Sequence, residues 1–314
     1  YKGRTDNSRR LMKKILEVAA RLNYRPNNAA RAMRTSSTGL IGLVMEESSL
    51  RSHPVVTETL RGINESLEPK GYILTITSLS GIRESTLKSR IFREHLLDGI
   101  IIMDDISTRQ GEDMRALIPA SIMVNMNCWL SHCCIRRDEY HAGLTAGTEL
   151  RKMGYTHAIY FDSRDDNGSS TPVHYSCIDR LSGFQSGFGG NGNHIEVTRK
   201  MPSDIHGYLK HHLNEISPRT VLVAAQDLRL FILTSSLSRL PISVGKDCGL
   251  ASLDDETGML ASFPCLSRVS FPRFEIGRMA GQMMISLLEG KKEKCRSTTI
   301  KGEWICGSTT RKVG

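Results

Sequence analysis

Asn23-Tyr24-Arg25-Pro26-Asn27-Asn28-Ala29-Ala30-Arg31-Ala32-Met33-Arg34-Thr35 leads, after two serines, into Thr38-Gly39-Leu40-Ile41-Gly42-Leu43-Val44. This junction of a basic helical segment with an apolar strand decides the fold. Pro26 holds Arg25 extended and separates two helical pieces. Asn27 is a good cap for a second, very short helix over Asn28–Arg34. Gly39–Met45 then reads as a buried strand.

Upstream, residues 1–34 carry ten Lys and Arg against Asp6 and Glu17, a net charge of +8 in a chain whose total is +9. The other 280 residues are therefore close to neutral. Ser8 can cap a helix running to about Leu22, with Leu11, Ile15, Val18, Ala19 and Leu22 on one face. Arg9, Arg10, Lys13, Lys14 and Arg21 lie off that face. So short a helix is marginal alone, and its apolar stripe needs partners. A basic segment ahead of a neutral body is the footprint of an arm that neutralises phosphates; a solvated tail is the plainer alternative.

Downstream, strand-like and helix-like segments alternate, which predicts parallel sheets covered by helices on both faces. Helices are expected over Ile82–Leu97, from Asp138 to Gly154, and over Tyr175–Phe188, Ser203–Ile216, Leu228–Leu240 and Arg273–Glu289. Strands are expected at Tyr72–Thr77, Ile100–Met103, Ser121–Asn125, Ala158–Asp162, Ile195–Thr198, Thr220–Ala225, Cys248–Leu253, Arg268–Phe271 and Trp304–Cys306. No internal repeat is strong enough to use. A chain of 314 residues suits two subdomains, and no segment has the apolar length of a membrane span.

Chemical motifs are sparse. The eight cysteines form no CxxC pair, and Cys128, His132, Cys133 and Cys134 match no structural zinc spacing, so reduced thiols and no metal are expected. Gly187–Gly192 formally fits G-x-G-x-x-G, but it follows a helix instead of a strand. No catalytic cluster is visible, and no cofactor is expected. Loops at the carboxyl ends of parallel strands are where such sheets bind ligands. Asn125, Gln226, Asp227, Asp254 and Asp255 lie there.

The hinge-like motif and the strand after it resemble the lactose-repressor (LacI/GalR) family of bacterial transcription regulators. The resemblance implies that Asn28–Arg34 is a hinge helix that pairs with its symmetry mate in the minor groove. Asn27, Asn28, Arg31 and Arg34 would contact DNA, and Met33 would be the wedge between base steps. The helix-turn-helix that reads the major groove would lie upstream of Tyr1. The fold implied is two doubly wound α/β subdomains of the type I periplasmic-binding-protein kind, behind a helical remnant and the hinge. Residues 1–37 would be that remnant. The effector-binding core would be 38–314, with subdomain 1 at about 38–156 and 272–295, and subdomain 2 at about 157–271 and 296–314.

Arg180-Leu181-Ser182-Gly183-Phe184 is similar to a family motif whose Arg, with an Asp after a later strand, grips the effector. That places the role on Arg180 and Asp254, a pair whose donors and acceptors suit a vicinal diol. Gln226 and Asp227 flank the same cleft, Phe271 offers an apolar wall, and Ser49 and His53 are candidate contacts in the first cleft loop. The implied protein is a cytoplasmic, homodimeric repressor of operator DNA that responds to a sugar or related metabolite. Two rivals are a solute-binding protein of the same core and a small-molecule α/β enzyme. The basic segment argues against the first, and the missing catalytic cluster against the second.

Overall fold

The computed structural model describes residues 6–24, 32, 34–35, 37–45, 55–78, 94, 96–103, 108–162, 173–190, 192–198, 204–255 and 265–313. The chain begins with α1 (Asp6–Arg21), β1 (Leu40–Met45), α2 (Val55–Leu67), β2 (Ile73–Ser78) and β3 (Gly99–Ile102). It continues through α3 (Thr108–Leu117), β4 (Ser121–Val124), β5 (Cys134–Arg137), α4 (Glu139–Lys152) and β6 (His157–Phe161). Next come α5 (Tyr175–Phe188), β7 (His194–Thr198), α6 (Ile205–His211), β8 (Thr220–Ala224) and α7 (Asp227–Leu237). The last elements are β9 (Gly249–Ser252), β10 (Ser267–Ser270), α8 (Arg273–Leu288), β11 (Thr298–Ile300) and β12 (Glu303–Ile305).

The strands form two six-stranded sheets with the same order, β2-β1-β3-β4-β5-β11 and β7-β6-β8-β9-β10-β12. Within the sheets the neighbours pair parallel, except that β12 runs antiparallel to β10. The central strands explain themselves: every residue of β3, β4, β8 and β9 is buried, as unbroken apolar strands with helices on both faces must be. Each sheet is the centre of one lobe.

Each lobe has a helix pair held by glycines. In lobe 2, α4 packs along α5, and a Cβ on Gly143 would sit 2.1 Å from the Arg180 carbonyl oxygen. A Cβ on Gly183 would sit 2.0 Å from the Tyr140 carbonyl oxygen. In lobe 1, α2 packs along α8, where a Cβ on Gly62 would sit 2.0 Å from the Phe274 carbonyl oxygen and one on Gly277 would sit 2.0 Å from the Thr59 carbonyl oxygen.

The packing moves the subdomain boundaries. Asp138, whose side chain caps α4 by accepting from the His141 N–H at 3.0 Å, begins lobe 2, because α4 lies on α5. Residues 138–156 are thus not part of lobe 1. Residues 298–300 go the other way, since β11 extends the first sheet beside β5. β5, β11 and α3 were not expected from the sequence. Helices α6 and α7 are shorter than expected, and nearly all of 82–97 lies outside the described residues.

On α1 the stripe expected to need partners is open: Leu11, Ile15, Val18 and Leu22 are 43–69% exposed. The linker to β1 is fixed by one carboxylate. Asp98 accepts from Ser37 Oγ at 2.6 Å, Thr38 N at 2.7 Å, Thr38 Oγ1 at 3.0 Å and Gly39 N at 2.8 Å. These bonds outweigh partial burial and hold its pKa below the ordinary carboxylate value.

Gly143→Ala and Gly183→Ala should each destabilise the protein by about 1–3 kcal/mol or more, since the obstacle is backbone. Gly207→Ala, in a helix with open space around it, should be neutral or stabilising. Urea unfolding midpoints of the three variants check this.

Candidate functional site

The chain passes between the lobes at three places: Arg137 to Glu139, Ser270 to Arg273, and Ile300 to Glu303. The Asp138 N–H donates to the Ile300 carbonyl at 2.8 Å, tying two crossovers together. Around them lies a buried ion cluster. Arg137, the last residue of β5, donates from Nη1 to both oxygens of Asp254 at 3.2 Å, and pairs with Glu139 at 2.8 Å. Its guanidinium lies 5.0 Å above the Phe271 ring.

Arg180 of α5 reaches the same centre. Its Nε and Nη2 are 2.8 Å from Glu139 Oε2, Nη1 donates to the Ala225 carbonyl, and Nη2 is 3.5 Å from Asp254. Arg273, at the start of α8, joins Asp254 and Asp255. Arg268 approaches Asp255 at 3.8 Å, and the Phe271 N–H donates to Asp255 at 3.5 Å. Burial alone would raise the pKa of Asp254, but Arg137, Arg273 and Arg180 hold it far below the carboxylate range. Burial would likewise lower the pKa of Arg137 and Arg180, and Asp254 and Glu139 outweigh it.

A second set of contacts bridges the lobes beside the cluster. Asn125 adopts a left-handed conformation, φ 53, and its side chain accepts the Arg137 N–H at 3.1 Å. Its carbonyl faces His174 Nε2 at 2.8 Å. His174 Nδ1 caps α5 by accepting from Ser176 N at 3.3 Å, so the proton sits on Nε2 and the ring is neutral. Burial, then the nearby arginines, push its pKa down to about 4, against the Asn125 hydrogen bond. Asn127 accepts from Tyr175 N at 2.7 Å, and the Arg136 guanidinium lies between Trp129 and Tyr175, at 5.0 and 4.5 Å.

Of the residues expected from sequence, Arg180, Asp254, Phe271 and Asn125 come together here. Gln226 is one residue from the carbonyl that Arg180 uses, but its own side chain contacts Cys177 Sγ at 3.8 Å. Asp227 opens α7, and its side chain lies outside the described residues. So do Ser49, His53, Asn27, Asn28, Arg31 and Met33; Arg34 is helical and exposed. Both oxygens of Asp254 face arginines. Sequence reasoning missed Arg137, Glu139, Arg273 and His174. The available signal was Arg137-Asp138-Glu139, a charged triplet ahead of an amphipathic helix.

The model of the periplasmic binding protein-like domain family matches residues 148–310, just over half the chain. The HTH-type transcriptional regulator RegA of Clostridium saccharobutylicum is 24% identical over 293 residues, 89% of this chain and 84% of the relative. The chain belongs to the LacI/GalR family of transcription regulators. Among solved structures, the lac repressor dimer bound to operator and the anti-inducer ONPF is similar with TM-score 0.76 and 16% identity. That similarity covers 95% of this chain and 89% of the repressor. A probable maltose operon repressor from Staphylococcus aureus is similar with TM-score 0.72 and 19% identity, over 88% and 100% of the two chains. In this LacI/GalR member two of the crossovers supply residues to the ion cluster, Arg137 and Glu139 from the first and Arg273 from the second.

Asp254→Ala should cost about 3–5 kcal/mol of stability, because it leaves buried arginines unpaired; a wild-type urea midpoint would contradict the cluster. His174 also has a pH signature. Its folded pKa of about 4 lies below the ordinary 6.5, so the stability of its neutral form is full above 6.5 and lost as pH falls toward 4. His174→Gln should flatten the fall in the urea midpoint between those pH values.

Proposed function

We propose that this regulator is a repressor that binds operator DNA as a homodimer in the cytoplasm. Arg34 and the hinge residues Asn27, Asn28, Arg31 and Met33 contact the DNA, and a small effector, a sugar or related metabolite, enters between the lobes beside Arg180 and Asp254. The observation that carries this reading is the position of the ion cluster. It joins residues of both lobes at two of the crossovers, so a ligand there changes the lobe angle with little further machinery. The lac repressor, solved as a dimer on operator with an anti-inducer, supports the same use of the fold. Surface apolar residues support a dimer: Leu228 and Phe231 on α7 are 63% and 59% exposed, and Ile73 and Ile76 on edge strand β2 are 56% and 50% exposed.

Coupling to DNA runs through Asp98, which holds Ser37, Thr38 and Gly39 to the sheet that the crossovers move. The test is fluorescence anisotropy on duplexes selected from a random pool. Met33→Ala should weaken binding and reduce the DNA bend, while Met33→Leu stays near the parent. Asp98→Ala should weaken DNA binding and leave the thermal shift with effector intact. Parent-like binding and bending by Met33→Ala would remove the hinge assignment.

A further inference from the structure

The residues expected to hold an effector do converge, and what they converge on is a side chain of this protein. Arg137 is the last residue of β5, in the first sheet. Asp254, which follows β9 of the second sheet, takes Arg137 Nη1 on both its oxygens at 3.2 Å. Arg180 pairs with Glu139, and Glu139 faces Arg137 Nη2 at 2.8 Å. The Phe271 ring, the expected apolar wall, lies 5.0 Å from the same guanidinium. Asn125 accepts the Arg137 backbone N–H at 3.1 Å.

These contacts have the form of ligand binding. A planar, forked cation is covered on one face by an aromatic ring and met at its edge by carboxylates. The Arg137 side chain is only 12% exposed. It also crosses between the lobes: it is carried by lobe 1, whereas Asp254 and Glu139 belong to lobe 2. The seam beside it closes in the same sense. His174 Nε2 of lobe 2 meets the Asn125 carbonyl of lobe 1 at 2.8 Å, and Asn127 of lobe 1 accepts from Tyr175 N of lobe 2 at 2.7 Å.

The charges balance with Arg137 in place. Arg137, Arg180 and Arg273 face Asp254, Asp255 and Glu139, three cations against three carboxylates. Arg268 stands at the margin, 3.8 Å from Asp255. Taking Arg137 away leaves one buried carboxylate charge in excess, which is strongly unfavourable unless another group replaces it.

We infer that Arg137 is a built-in ligand: its guanidinium occupies the effector's place at Asp254 and bridges the two lobes when no effector is bound. This rests on the reading of the cleft as the effector site. A small molecule that enters beside Arg180 and Asp254 then competes with Arg137 for that carboxylate. Its binding breaks a bond between the lobes instead of making one. The lobe angle is thus held by default and released by the effector.

Arg137→Ala removes the guanidinium and leaves a space of its size, so methylguanidinium is the probe. Calorimetry should show saturable binding of methylguanidinium to Arg137→Ala at millimolar concentration, and none to the wild type. Methylammonium has the same charge without the fork and should bind Arg137→Ala more weakly. Small-angle X-ray scattering should give a larger radius of gyration for Arg137→Ala than for the wild type, and methylguanidinium should reverse the increase. A wild-type radius in Arg137→Ala, or no preference for methylguanidinium, overturns the inference. If Arg137→Ala does not fold alone, its refolding followed by circular dichroism decides. Recovery in methylguanidinium but not in methylammonium supports the built-in ligand; recovery in both or in neither overturns it. None of these measurements needs an effector. A thermal-shift screen of the wild type with D-glucose, D-galactose and their 6-phosphates tests the effector reading separately, and its failure would leave Arg137 as the bridge between the lobes.

Discussion

Asp254 is the point on which the two lobes agree. It follows a strand of the second sheet, yet it is approached by a guanidinium from the end of the first sheet, one from α5 and one from the start of α8. A buried carboxylate with one partner would be a weak source of stability, because desolvation offsets the attraction. With several, the same group fixes where three separate segments meet. The left-handed Asn125 and the neutral His174 then close the neighbouring seam.

That meeting point works because the lobes themselves are stiff. Each has a sheet with a buried centre and a glycine-lined helix pair, and such packing does not deform continuously. The crossovers are where the two lobes are joined, and the cluster lies beside them. Cluster and crossovers share residues: Arg137 and Glu139 bracket the first crossover, and Phe271 and Arg273 the second.

Much of this was legible in the chain. Unbroken runs such as Ile100–Met103 and Thr220–Ala225 announced buried parallel strands, and the segment from Tyr24 to Val44 pointed to the family. Tyr175–Phe188 was read with both ends right because Gly189 and the polar loop before it frame a clear period. The crossovers were harder. β5 and β11 are four and three residues long at one end of the sheet, and carry Arg136, Arg137 and Thr298 where an apolar run would have marked a strand. Arg180 stood out through its motif. Arg137 did not, because an arginine beside Asp138 and Glu139 reads as solvated surface until the fold brings Asp254 to it. The matching strand order of the two lobes left no usable repeat in sequence, since many apolar residues satisfy the same buried position.

The clamp at Asp98 sets the length of a leash. Thr35 is still helical, and Ser37 is already bound to the sheet, with Thr35 Oγ1 also 3.2 Å from the Ser37 carbonyl. Two residue steps separate them, so their Cα atoms can part by no more than about 7 Å. A tether that short has almost no slack. When the edge of lobe 1 shifts, the helical residues ahead of it must travel with it, following the tilt of the sheet instead of averaging it away.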